Sequence, residues 1–129
     1  MQKFSTIIFA LLALALVSFK KKNSGIEEVI NAIRSGNANE LAKYIDGNVE
    51  ISLPDKTGSY SKAQTVIILQ DFFNNNTVKS FELKHKGDNG GSQFCIGTLN
   101  TRSGLFRTTV FMRTKNGRQE IKQIGFQAL

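Results

Sequence analysis

The sequence predicts an α+β domain: helices gathered early in the chain, packed on one face of a curved, mostly antiparallel sheet built late in the chain. Three observations carry this reading. Apolar residues recur with a helical period at Ile26, Val29, Ile30 and Ile33. From Phe81 to the end the period is two, as in half-buried strands. Between the late segments lie short Gly- and Asn-containing clusters that suit tight turns rather than crossovers.

The elements follow in order. Ser24-Gly25-Ile26-Glu27 reads as a capping box, in which the Ser oxygen and the Glu carboxylate each take an otherwise unpaired backbone donor. Gly36 ends that first helix as a left-handed cap residue. Asn37 with Glu40 opens a second, short helix whose Leu41, Tyr44 and Ile45 share a face, and Asp46-Gly47 is a turn. Val49-Glu50-Ile51-Ser52-Leu53 alternates strictly and reads as a strand; a turn over 54–58 leads to a short return strand ending at Tyr60. Ser61-Lys62-Ala63-Gln64 is a second capping box, starting a third helix that Asn74-Asn75-Asn76 dissolves.

On that third helix, 100° steps spread Ala63, Val66, Ile67, Ile68, Leu69, Phe72 and Phe73 over a wide arc, predicting a helix wrapped by its surroundings. Gln70 interrupts the arc. Its amide either escapes to the carbonyls of the last turn and to water, or enters a pocket or interface. The late strands are then a meander: Phe81, Leu83 and His85 alternate with Glu82, Lys84 and Lys86, followed by segments 93–101, 105–114 and 120–127. Asn116-Gly117 marks the last hairpin. The expectation is about three helices and four to six strands.

Ahead of this domain, Met1-Gln2-Lys3 is a short positive region, and Phe4 to Phe19 is an uncharged, mostly apolar run of 16 residues. The pair suits a signal peptide over 1–19, with export to the periplasm or beyond. Lys20-Lys21-Lys22, directly after it, opposes simple export and keeps an uncleaved membrane anchor open. Residues 20–24 form a basic linker and 25–129 a single domain; a membrane enters the account only if the first segment is retained. Lys3 and the lysine run carry four of the seven net positive charges, so the domain itself is only weakly basic. That density argues against nucleic-acid binding. The excess gathers in the strand-forming half, which leaves a small hydrophobic or anionic ligand as the expected partner.

Few residues carry chemistry. Cys95 is the single cysteine, so no internal disulfide forms, and its apolar neighbours Phe94 and Ile96 place it in the core. One His and one Cys do not make a zinc site, and no Gly-rich loop joins a strand to a helix, so neither a metal nor a cofactor is expected. His85 alternates with Phe81 and Leu83 and is expected to face inward with them. Arg107 shares a face with Leu105, Thr109 and Phe111; it calls for an anion, or for Glu50 or Glu120 at a sheet edge. Apolar residues stand on both faces of the late strands, with Phe94 and Ile96 opposing Cys95 and Leu99, so a homodimer through the sheet is also expected.

The stretches "SGNANELAKYIDGNVEISLPDKTGSYSKAQTVIILQDFF" and "IGTLNTRSGLFR" resemble an uncharacterised exported bacterial family, domain of unknown function 4783. Over residues 25–127 the element order resembles the nuclear-transport-factor-2-like, or cystatin-like, superfamily. The resemblance implies a cone-shaped fold in which the bent sheet wraps the third helix and leaves a pocket. It implies no reaction, because function on a shared fold lives in the site. Polar groups placed to line such a cone are Tyr44, Tyr60, Gln70, His85 and Arg107. No catalytic residue is assigned: the reading is a non-catalytic ligand-binding or dimerising module. The alternative is an isomerase- or dehydratase-like enzyme with His85 as its base, which requires His85 in an enclosed pocket.

Overall fold

The computed structural model describes residues 24–129; the predicted leader and the lysine run lie outside the described residues. Three helices precede or interrupt a six-stranded sheet, and their boundaries follow local chemistry. Helix α1 (Gly25–Arg34) is capped by Ser24, whose Oγ accepts from the Glu27 amide. Glu27 was expected to return the bond, but its carboxylate pairs with Lys86 instead, pinning α1 to the first long strand. Gly36 has φ +62°, the left-handed conformation that lets the chain reverse directly into α2 (Ala38–Ala42). The Asn37 side chain caps α2 through the Glu40 amide at 3.1 Å. Helix α3 (Lys62–Asn75) opens on the predicted capping box, complete in both directions between Ser61 and Gln64.

The strands are β1 (Val49–Leu53), β2 (Lys56–Tyr60), β3 (Val78–Asp88), β4 (Ser92–Thr101), β5 (Gly104–Lys115) and β6 (Arg118–Ala128). Strands β3 to β6 form the predicted meander, and the last hairpin places both Asn116 and Gly117 at positive φ, as a two-residue turn of matching twist requires. The sheet order is β2-β1-β6-β5-β4-β3. Its one parallel pairing joins β1 to β6, through Ile51 opposite Ile124. That contact links the early β1–β2 hairpin to the far end of the chain and completes a curved, open sheet.

The helices cover one face. On it Phe81, Cys95, Leu99, Val110, Met112, Ile121, Ile124 and Phe126 are buried, and they meet Ile26, Val29, Ile33, Leu41, Leu69 and Phe72 from the helices. The predicted wrapping of α3 does not occur. Its buried face is Thr65, Ile68, Leu69, Phe72 and Phe73, whereas Ala63 is exposed and Ile67 is 57% exposed. Periodicity counted Ala63, Val66 and Ile67 as a contact face because they are apolar, but the sheet curves past one side of α3 only, and the other side meets water. Among the described residues, no helix is long and apolar enough to cross a membrane.

Candidate functional site

The interior of the cone is filled by aromatic rings. Phe72 of α3 stacks on Phe126 of β6, with centroids 4.2 Å apart and planes at 22°. Phe73 and Phe106 meet these rings edge-on. What remains open at the mouth is a groove of about 310 Å³ between α3, the β1–β2 turn and the start of β5, floored by Ile68, Phe72 and Phe106. None of the five candidates from the sequence lines it.

Those candidates separate into distinct places. Tyr44 follows α2; its carbonyl accepts from the Ile121 amide at 2.7 Å, and its half-buried phenol is held above the usual tyrosine range by burial and by Glu28. Tyr60 ends β2 against the core and lends its carbonyl to the Thr65 hydroxyl at 3.3 Å. Gln70 does not turn back to the carbonyls of its own last turn. Its Nε2 donates to Asn39 Oδ1 at 3.1 Å, bridging α3 to α2 at the edge of a shallow, amide-lined hollow that also includes Asn37 and Asn74.

His85 and Arg107 do come together, but outside the cone. The expectation that His85 faces inward fails because β3 carries a bulge between Leu83 and His85. One extra residue reverses the alternation. Leu83 stays inside, Lys86 pairs opposite the buried Cys95, and His85 turns out opposite Ile96, exposed. This corrects the enzyme alternative as well: His85 has no enclosed pocket in which to act as a base. Arg107 keeps the face of Leu105, Thr109 and Phe111, as the alternation predicted, and that face is the one no helix covers.

Here lies an open depression of about 620 Å³, lined by Lys84, His85, Ile96, Thr98, Arg107 and Gln127 among others. Register builds it. Thr98 faces Arg107 and Arg107 faces Gln127 across β4, β5 and β6; the next row is Ile96, Thr109 and Gly125, preceded on β3 by His85. Gly125 adds no side chain, so the surface dips again beside Arg107 into a smaller hollow that shares Thr109 and Gln127. No acidic side chain lines either hollow. Among the described residues Arg107 belongs to none of the four ion pairs, so neither Glu50 nor Glu120 is its partner; Lys122 sits 3.0 Å from Glu120. Thr98 and Gln127 went unnoticed as candidates, although counting outward from the two-residue turn at Arg102-Ser103 puts Thr98 opposite Arg107.

Other reactive groups are withdrawn from solvent or engaged. Burial pushes the Cys95 thiol up to about 11, which suppresses thiolate formation. Asp88 is held below the ordinary carboxylate range by hydrogen bonds from the Gly90 amide and the Gln93 side chain. No group of three or more His, Cys, Asp or Glu converges among the described residues.

The helices on one face of a bent, open sheet, with the aromatic-filled cone between them, make up a nuclear-transport-factor-2-like fold. The model of the domain of unknown function DUF4783 matches residues 26–127, and the chain belongs to that family. A crystal structure of a DUF4783 family protein from Bacteroides uniformis ATCC 8492 is 33% identical, covers 82% of this chain and 98% of its own, and superposes with a TM-score of 0.79. A second, from Bacteroides ovatus ATCC 8483, is 29% identical over 85% of this chain and 98% of its own, with a TM-score of 0.76. An NTF2-like protein of unknown function from Cytophaga hutchinsonii ATCC 33406 shares the fold at 13% identity, covering 86% of this chain and 95% of its own, with a TM-score of 0.58. No curated protein matches the chain in sequence.

Proposed function

We propose that this protein is an exported, non-catalytic binding module, and that it binds through the outer face of its sheet rather than inside the cone. One observation carries the reading: the uncovered face of β3 to β6 presents Arg107 outside the four ion pairs among the described residues, with Leu105 at 46% exposure next to it along β5 and Phe94 at 36% exposure two rows away. Exposed apolar side chains scattered singly are ordinary, but here they share one face with Arg107, and with Arg113 further along β5, which is likewise in none of the four ion pairs. A ligand with an apolar part and a negative charge fits that combination. The cone offers less, because the Phe72–Phe126 stack occupies its centre.

Amide chemical-shift mapping against a mixed set of small carboxylates, alcohols and amines tests the reading. Shifts gathered on Ile96, Thr98, Thr109 and Gln127 support it; shifts gathered on Ile68, Phe72 and Phe106 overturn it in favour of the cone mouth. Export is tested separately by the mass of the chain in the periplasmic fraction, where cleavage near residue 19 is the expected result.

A homodimer is the second reading, favoured by Phe94 and Leu105, which an identical face would cover. Sedimentation velocity over a concentration series decides it: self-association that Phe94→Lys abolishes supports the dimer, and a monomer at all concentrations removes it.

A further inference from the structure

We propose that the depression around Arg107 binds an amphipathic monocarboxylate, the carboxylate on the guanidinium and the alkyl chain lying along the sheet over Ile96 toward Phe94 and Phe111. The inference rests on the outer-face reading above and names the ligand class.

The charges select an anion. Three basic residues, Lys84, His85 and Arg107, line the hollow, and no acidic side chain does. Lys84 is neutralised by Glu82 at 2.9 Å. Glu82 is the acid of this face nearest in register, opposite Thr98 and therefore two strands from Arg107, and Lys84 already engages it. Within the hollow the Arg107 guanidinium is thus the cation left outside the ion pairs, with a planar fork that suits a carboxylate. Register sets further donors around it: the Thr98 hydroxyl on one side, the Gln127 amide on the other, and the Thr109 hydroxyl two residues along β5.

The neighbouring rows select an apolar tail. Moving along the strands from Arg107, the face passes Ile96 and Thr109 and then reaches Phe94 opposite Phe111. Two residues per row at about 3.3 Å each place the Phe94–Phe111 row about 13 Å from the arginine. The Phe94 ring lies over Gly87, where a Cβ would strike it. Gly125, beside Thr109, contributes no side chain to block the path. A charge at one end and a strip of aliphatic and aromatic surface along the strands match a linear carboxylate. A small inorganic anion or a neutral alcohol would use only half of the surface.

The test is an octanoate titration of the isotope-labelled full chain, with 1-octanol and acetate as controls. Expected are saturable shifts on Thr98, Arg107, Thr109, Gln127 and the Phe94 ring, weaker binding of both controls, and at least a tenfold loss of affinity in Arg107→Ala. Arg107 is exposed, so the fold is retained; an unchanged spectrum away from the site verifies this, and Thr109→Val serves as a milder second variant. Octanoate binding unaffected by Arg107→Ala, or 1-octanol binding equally well, overturns the carboxylate assignment while leaving the outer face as the binding surface. Octanoate shifts confined to Ile68, Phe72 and Phe106 overturn both. Absence of octanoate binding, with another compound class binding the same rows, overturns the inference alone.

Discussion

Phe72 lies stacked on Phe126, ring centroids 4.2 Å apart, and so fastens the third helix to the last strand across 54 residues of chain. Both rings are nearly fully buried, and Phe106 meets Phe72 edge-on at 5.2 Å. Phe72→Ala is expected to destabilise the fold by about 3–5 kcal/mol, through lost transfer energy plus the cavity left between helix and sheet. Urea denaturation measures it; a loss below about 1 kcal/mol would mean that the stack is not a structural joint.

Gly97 of β4 sits under the Phe81 ring, and a Cβ there would strike both that ring and the Glu82 carbonyl oxygen. Gly97→Ala is therefore expected to cost about 1–3 kcal/mol, the usual range for overpacking a well-filled core. Thermal unfolding checks the sign: a variant as stable as the parent would show that Phe81 can swing aside freely.

Ile67 and Ile68 are adjacent on α3 yet have opposite environments, 57% and 9% exposed. Ile67→Lys is expected to change stability by no more than about 0.5 kcal/mol, whereas Ile68→Ala costs about 2–5 kcal/mol. Paired denaturation curves decide between this one-sided helix and a wrapped one, in which both changes would be severe.

Cys95 is buried and its thiol is pushed up to about 11, so alkylation in the native protein is expected to be slow near neutral pH and to become rapid on unfolding. Timed mass spectrometry with iodoacetamide, with and without denaturant, measures the difference. Prompt native labelling would place the thiol in an opening that the core does not have.

Asp88 closes the β3–β4 hairpin: its Oδ1 accepts from the Gly90 amide at 2.9 Å and from Gln93 Nε2 at 3.2 Å. These bonds favour the ionised form, so the folded carboxyl titrates below its unfolded counterpart. The stabilisation is complete above the unfolded value and is lost as pH falls through the folded one. Parent and Asp88→Asn stabilities are expected to differ at neutral pH and to converge in acid. A gap independent of pH would assign the effect to something other than ionisation.

Much of the architecture was legible because its signals are local. Ser61 and Gln64 announced the start of α3, Gly36 the end of α1, and Asn116-Gly117 the final hairpin, each through backbone conformation or capping within four residues. Alternation likewise kept Arg107 on the face of Leu105, Thr109 and Phe111, and the apolar neighbours of Cys95 put it in the core. Alternation alone does not say which face the helices cover, so Arg107 was expected to line the cone and lies outside it. His85 was misplaced because alternation counts residues and takes no account of a bulge. A bulge is decided by how β3 must bend against β4, and the Leu83-Lys84-His85 stretch gives no sign of it. Gln70 was unreadable for a related reason, since its partner Asn39 is 31 residues away on another helix.

Capping, φ preference and hydrophobic period act over a few residues, and they set the element order, the turns and most core positions. Long-range packing is what pairs β1 in parallel with β6, covers α3 on one side, and brings His85 and Arg107 together on the outer face. Those outcomes depend on strand register, a bulge and sheet curvature, which are set by packing between segments far apart in the chain.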